Sequence, residues 1–326
     1  MRSLYTCITG LLVIMLCSCE KKELPVKPHD PGNITTATVD MGSPYKWQVY
    51  FNLKTNTVVG ENVKTSWDIG CEPTTGGYHI VLNSSKSMFA YNTGNANFTA
   101  INMADTNGYT AGRKWDAPSG ALDSTAIGDW RATMPVYVVD MGYDVSGAWL
   151  GMEKLQLLSV TDSSYTLRFA ALSGAGDTTI QVKKDSTYNL AFVSFSSQAQ
   201  VSVEPPKAMW DIVFTQYTYI FYDYTPPLPY LVTGCILNRY NTLAVLDTTD
   251  LFTQIAYSNI SNYKFSTDIS TIGYDWKTYT GSGYTINTNY NYIIQTASGL
   301  YYKLHFIGYY NSSGAEGNPQ WEYQQL

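Results

Sequence analysis

Val49 to Ile69 reads VYFNLKTNTVVGENVKTSWDI, and Val193 to Ile212 returns to it as VSFSSQAQVSVEPPKAMWDI. Both stretches place apolar residues at matching positions, interrupt them with a polar turn cluster, and close on Trp-Asp-Ile. Outward from them the pattern continues: TATVDM, WQVYFNL, YHIVLNS, VYVVDM, YTLRFAAL, TIQVKK and LAFVSF are short β-branched and aromatic runs separated by Gly, Asn, Asp and Ser. No window of 11 to 18 residues keeps a helical period between capping residues. The reading is an all-β protein with few or no helices.

The echo is one of five. IVLNSSK from Ile80 matches CILNRYN from Cys235, and Asp123 to Trp130 matches Asp268 to Trp276. Pro135 to Val139 matches Tyr290 to Ile294, and EKLQLLSV from Glu153 matches YKLHFIGY from Tyr302. Five blocks in one order indicate a duplication into two related antiparallel β units, residues 37–187 and 188–326. Within it, Trp67-Asp68 and Trp210-Asp211 recur as a structural motif, the indole filling a core and the carboxylate capping turn amides. Trp130 and Trp276, with the aspartates before them, are read the same way.

A length of 326 residues allows about two domains. Charged residues make up 14% and aromatics 14%, with 28 Tyr and 8 Trp, which argues against disorder and against a cytosolic helical protein. The net charge of −6 argues against nucleic acid as a partner. Met1-Arg2 and the apolar run Ile8 to Met15 form a signal peptide over residues 1–18, too short to span a membrane. Leu16-Cys17-Ser18-Cys19 resembles a bacterial lipobox, which implies lipidation of Cys19 and retention of the chain on a membrane. Residues 19–36 then supply the lipidated cysteine and a charged, proline-rich, flexible tether. Of five Cys, only Cys71 and Cys235 lie in the body. They are read as two separate buried thiols rather than a disulfide.

Chemistry-bearing motifs are scarce. HExxH, GxSxG, P-loop and CxxC patterns do not occur, Gly281-Ser-Gly283 reads as a turn, and the reading is not an enzyme. A hydrolase would need two carboxylates facing each other across an open cleft. The three His, at 29, 79 and 305, form no metal-binding cluster. Asp105 to Gly108 and Asp247 to Asp250 read as turns rather than calcium loops. Two features remain. Tyr217, Tyr219, Tyr222 and Tyr224 precede the rigid loop Pro226-Pro-Leu-Pro-Tyr230 and suggest an aromatic binding face for sugars, flat macrocycles or a partner protein. In the first unit, Asn92 to Gly128 is a long irregular stretch carrying Met103, Arg113, Lys114 and Trp115, and long loops on a β scaffold are where binding residues collect.

Taken together, the lipobox, the Trp-Asp-Ile after an extended segment, the VLNSSK and IGYDWK blocks and the ending YKLHFIGYYN resemble the HmuY-like lipoproteins of Bacteroidetes, here in a tandem form. The resemblance implies a hand-shaped all-β fold and capture of haem for a TonB-dependent outer-membrane receptor; separately, Glu20 and Glu23 just after Cys19 point to a lipid anchor on the outer membrane facing outward, with the periplasmic face as the alternative. Haem-binding members use paired His or Met axial ligands, and the resemblance carries neither ligand to a given position here. Among the residues themselves, Met103 and Met134 are the candidate pair, in or beside the irregular stretch, where an apolar slot between soft donors would suit haem. The alternative expectation is a glycan- or protein-binding surface lipoprotein that uses the tyrosine face.

Overall fold

A computed structural model describes residues 31–108 and 112–326. The signal peptide, Cys19 and most of the tether lie outside the described residues. Pro31 to Leu326 forms one compact unit. The described residues contain twenty-one β-strands and several 3-10 turns of at most six residues.

The strands build two sandwiches. In the first, a six-stranded sheet ordered β11-β10-β9-β8-β6-β7 faces a four-stranded sheet ordered β13-β12-β4-β5. These strands are β4 (Ile69–Cys71), β5 (Ile80–Leu82), β6 (Phe89–Asn92), β7 (Arg113–Lys114), β8 (Val136–Asp140), β9 (Met152–Val160), β10 (Ser164–Ala171), β11 (Thr178–Lys183), β12 (Ala191–Ser194) and β13 (Ala199–Val201). Between the sheets lie Ile69, Leu155, Leu167, Phe169, Val193 and the buried Trp130.

In the second sandwich, the order β1-β21-β20-β19-β16 faces β15-β14-β2-β3. Its strands are β1 (Thr35–Thr38), β2 (Trp47–Asn52), β3 (Thr57–Val63), β14 (Ile212–Phe221), β15 (Leu228–Leu237), β16 (Leu243–Asp247), β19 (Asn291–Gln295), β20 (Tyr301–Tyr310) and β21 (Glu316–Gln325). Phe51, Phe214, Trp276, Phe306 and Trp321 fill that core. A separate ribbon pairs β17 (Lys277–Tyr279) with β18 (Tyr284–Ile286). The alternation is visible in β21, where Gly317, Pro319, Trp321 and Tyr323 turn inward while Asn318, Gln320 and Glu322 do not. Central strand β8, VYVVD, is buried at every position because it is covered on both faces.

The boundary at residues 187/188 does not separate these sandwiches. The hairpin β2–β3 from the first unit pairs with β14, and the hairpin β12–β13 from the second pairs with β4, so each unit gives a hairpin to the other. Trp-Asp-Ile is the receiving end of each exchange. Asp68 N donates to Val193 O, and its carboxylate accepts from Phe195 N at 2.6 Å. Asp211 N donates to Phe51 O, and its carboxylate accepts from Leu53 N at 2.8 Å. Trp67 meets Phe192 edge-on at 4.8 Å, and Trp210 meets Tyr50 at 5.0 Å. Phe51 is therefore equivalent to Val193, two residues away from the match suggested by the sequence echo. A shift of two preserves which side chains face inward, which is why the apolar pattern alone does not register it.

A second pair of equivalences anchors the loops. Lys154 and Lys303, both buried, each donate to two loop carbonyls: Lys154 Nζ to Phe98 O and Ile101 O at 3.0 Å, and Lys303 Nζ to Phe252 O at 2.7 Å and Ile255 O at 2.8 Å. Each ammonium also lies over the loop's phenyl ring, at 4.6 and 4.7 Å. A six-residue 3-10 turn follows in each half, Met103–Gly108 and Tyr257–Asn262. Cys71 and Cys235 are free and fully buried, one in each core.

Candidate functional site

Met103 and Met134 lie beside neighbouring supports on one strand. Lys154 of β9 holds the loop just before Met103, and Gln156, two residues further along and on the same face, donates to Ala96 O and Met134 O at 2.9 Å. Both methionines are among the exposed large apolar residues, at 62% and 41%. Met134 also has φ 44, a left-handed conformation that bulky residues adopt only when their surroundings enforce it. Here the enforcement comes from Met134 N bonding to Trp130 O and from Gln156 gripping the carbonyl. Each sulfur is an exposed soft donor of the type a haem iron takes as an axial ligand. In the second half, Tyr257 occupies the place of Met103 at the head of the equivalent turn.

The four tyrosines expected to form one face do not do so. Tyr217 is buried at 2% exposure, because the 270–276 loop lies over it with Gly273 against its hydroxyl. Tyr219 packs edge-on against Tyr274 at 5.1 Å. Strand β14 ends at Phe221, so Tyr222 and Tyr224 stand exposed on the following turn, beyond the alternation. The close approach of the 270–276 loop requires glycine at 234, where a Cβ would stand 2.3 Å from Gly273 O.

What that loop builds is a cleft of about 710 Å3, within the usual size range of small-ligand sites. One wall is Phe221 and β15 from Tyr230 to Thr233, and the other is Tyr274 to Tyr290 with the β17–β18 ribbon. Tyr45 and Glu316 complete the lining. Tyr45 is a second bulky residue at positive φ, 60°, held by its N–H on Gly42 O and stacked on Tyr309 at 6.5 Å. Burial first, then a hydrogen bond to Glu316, raises the Tyr45 hydroxyl well above the usual phenol range. Burial likewise raises Tyr274 and Tyr284.

Lys277 forms part of the cleft's lining. Its ammonium donates to Thr233 O and lies over the rings of Trp276, Tyr309 and Tyr284 at 4.3, 4.9 and 5.3 Å. Burial pulls its pKa down to about 7, with Asp275 and Glu316 opposing the fall. Asp275 is itself raised by burial. The lining contains no His, Met or Cys, and among the described residues no cluster of His, Cys, Asp and Glu is arranged to hold a metal ion. The cleft therefore offers a haem iron no imidazole, thioether or thiol donor.

The two histidines of the body are engaged elsewhere. His79 pairs with Glu72 at 2.6 Å, and His305 stacks on Phe252 at 4.1 Å and reaches Glu322 at 3.2 Å. Asp247 takes the N–H groups of Thr249 and Asp250 and the Tyr263 hydroxyl, which makes its segment a closed turn. Asp129 pairs with Arg131 at the surface, whereas its counterpart Asp275 lines the cleft.

The cleft tyrosines were hidden from sequence reading by their spacing: positions 45, 230, 274, 279, 284 and 290 have no common period. Lys154 and Lys303 left a usable signal, a lysine retained in the middle of the same apolar block in both halves.

The family model described as HmuY protein matches residues 44–185 and 232–323. No curated protein matches the chain. Among solved structures, the apo HmuY analog (TFO) of Tannerella forsythia is similar at 8% identity and a TM-score of 0.34, with 92% of this chain and 99% of that one covered. Apo PinO, from Porphyromonas gingivitis, is similar at 10% identity and a TM-score of 0.33, with 90% and 97% covered.

Proposed function

The chain belongs to the HmuY family, a non-catalytic family associated with haem uptake, and from that premise we propose that it is a lipid-anchored envelope protein that binds haem or a related flat ligand for transfer to an outer-membrane receptor. The observation that carries the reading is that two exposed methionines adjoin loops fixed by neighbouring residues of β9: Lys154 bonds Ile101 O, two residues before Met103, and Gln156 bonds the carbonyl of Met134, which is constrained at positive φ. Met103 and Met134 would hold the iron, with Lys154 fixing the loop before Met103 and Gln156 the Met134 carbonyl. Haem bound there supplies iron in a form that an importer can take up. The lipobox at Cys19 supports anchorage, residues 20–36 supply reach from the lipid, and the anchor's acidic neighbours Glu20 and Glu23 favour an outward-facing position on the outer membrane.

The experiment is a haemin titration of residues 31–326, which form a compact unit of their own. A saturable one-to-one Soret shift with a low-spin spectrum is expected, weakened at least tenfold by Met103→Ala and by Met134→Ala. No shift at micromolar protein removes the haem reading. A shift that neither substitution alters moves the ligands elsewhere.

A further inference from the structure

We propose that the tyrosine cleft of the second sandwich is a carbohydrate-binding site, lined by neither Met103 nor Met134 and not dependent on the haem reading. Three observations converge on it. Tyr230 and Tyr279 each leave about 60% of their surface open (60% and 61%), although both border the cleft. Exposed rings flanking a concavity are platforms for the C–H face of a sugar ring. The polar groups of the lining include Asp275 and Glu316, whose carboxylates are hydroxyl-binding types that accept from sugar O–H groups, while Asn287 beside them bonds Asp275 O and Thr278. Finally, Tyr45 is fixed in a left-handed conformation at the cleft's edge, a strained aromatic of the kind that accumulates where a ligand is held.

The same inventory excludes other ligand classes. An anion would meet two carboxylates, and the one cation, Lys277, is already turned to Thr233 O and enclosed by rings. A haem iron would find no His, Met or Cys in the lining, and phenols whose burial keeps them protonated. A neutral, hydroxyl-rich ring with one apolar face meets neither obstacle. Neither Met103 nor Met134 lines the cleft, so the two candidate sites can be altered independently.

The test uses residues 31–326 with cellobiose, maltose, lactose and diacetylchitobiose at millimolar concentration, read by saturation-transfer NMR and titration calorimetry. Transfer to at least one disaccharide is expected, strongest on the C–H protons of one ring face. Tyr230→Ala and Tyr279→Ala, both at exposed positions that the cores do not need, each weaken binding about tenfold, while Met103→Ala leaves it unchanged. Haemin at equimolar concentration leaves the bound sugar in place. Absence of transfer to all four sugars, unchanged affinity in both tyrosine variants, or displacement by haemin overturns the proposal.

Discussion

The exchange of hairpins rests on two aspartates in equivalent places but unequal surroundings, and this inequality sets the size of a measurable effect. Asp68 is paired with Lys86, and both side chains are nearly sealed from solvent, at 6% and 2% exposure. At the position equivalent to Lys86 in the second unit stands Asn241, so Asp211 holds Leu53 N without a lysine beside it. Asp68→Asn strands a buried ammonium without its counter-charge, which costs about 3–5 kcal/mol. Asp211→Asn keeps an oxygen that can accept from Leu53 N and costs about 1 kcal/mol. At roughly 2–4 °C per kcal/mol for a domain of this size, the first variant melts on the order of 10 °C lower and the second about 3 °C lower. Asp68→Asn with Lys86→Met removes both charges and recovers most of the loss. Urea unfolding followed by tryptophan fluorescence supplies the differences, as shifts of midpoint at constant slope. Asp68→Asn no worse than Asp211→Asn, or no recovery in the double variant, would refute the reasoning.

Three further outcomes are expected. Gly234→Ala pushes a methyl group to 2.3 Å from Gly273 O and must lift the 270–276 loop, at a cost of about 3 kcal/mol or more and with increased quenching of Tyr217; wild-type stability would show that the approach is not tight. Lys277 has its pKa held near 7 in the folded chain, below the ordinary lysine value of about 10.4, so the folded state binds fewer protons between those values and stability rises with pH across that window. Lys277→Met accordingly stabilises the protein by about 1–4 kcal/mol at pH 6, with the gain shrinking toward pH 10, and a pH-independent difference contradicts the assignment. Cys71 and Cys235 are fully buried, and burial raises both thiols, Cys71 to about 12. A thiol reagent should therefore label residues 31–326 only after unfolding, and prompt labelling of the folded protein would place a thiol at the surface.

Sequence by itself determined the β class and the duplication, because each is written in local alternation or in repeated blocks. Strand period depends on side chains two residues apart, and β21 can be read that way without knowing its partners. The retained lysines of EKLQ and YKLH were legible for the same reason, as polar residues kept in apolar blocks. Pairing was not legible. The hairpins at Trp47–Val63 and Ala191–Val201 are near equivalents, so either could satisfy either Trp-Asp-Ile strand, and alternation is indifferent to which copy pairs with which. Only the tertiary structure decided that they exchange. The tyrosine face was misplaced on similar grounds: period two predicts a shared side for Tyr217 and Tyr219 but contains nothing about the loop that buries the first, nor about the end of β14 at Phe221. The cleft assembles from Tyr45, Tyr230 and the 274–290 segment, brought together by contacts distant in the chain, and such a site has no sequence period to betray it.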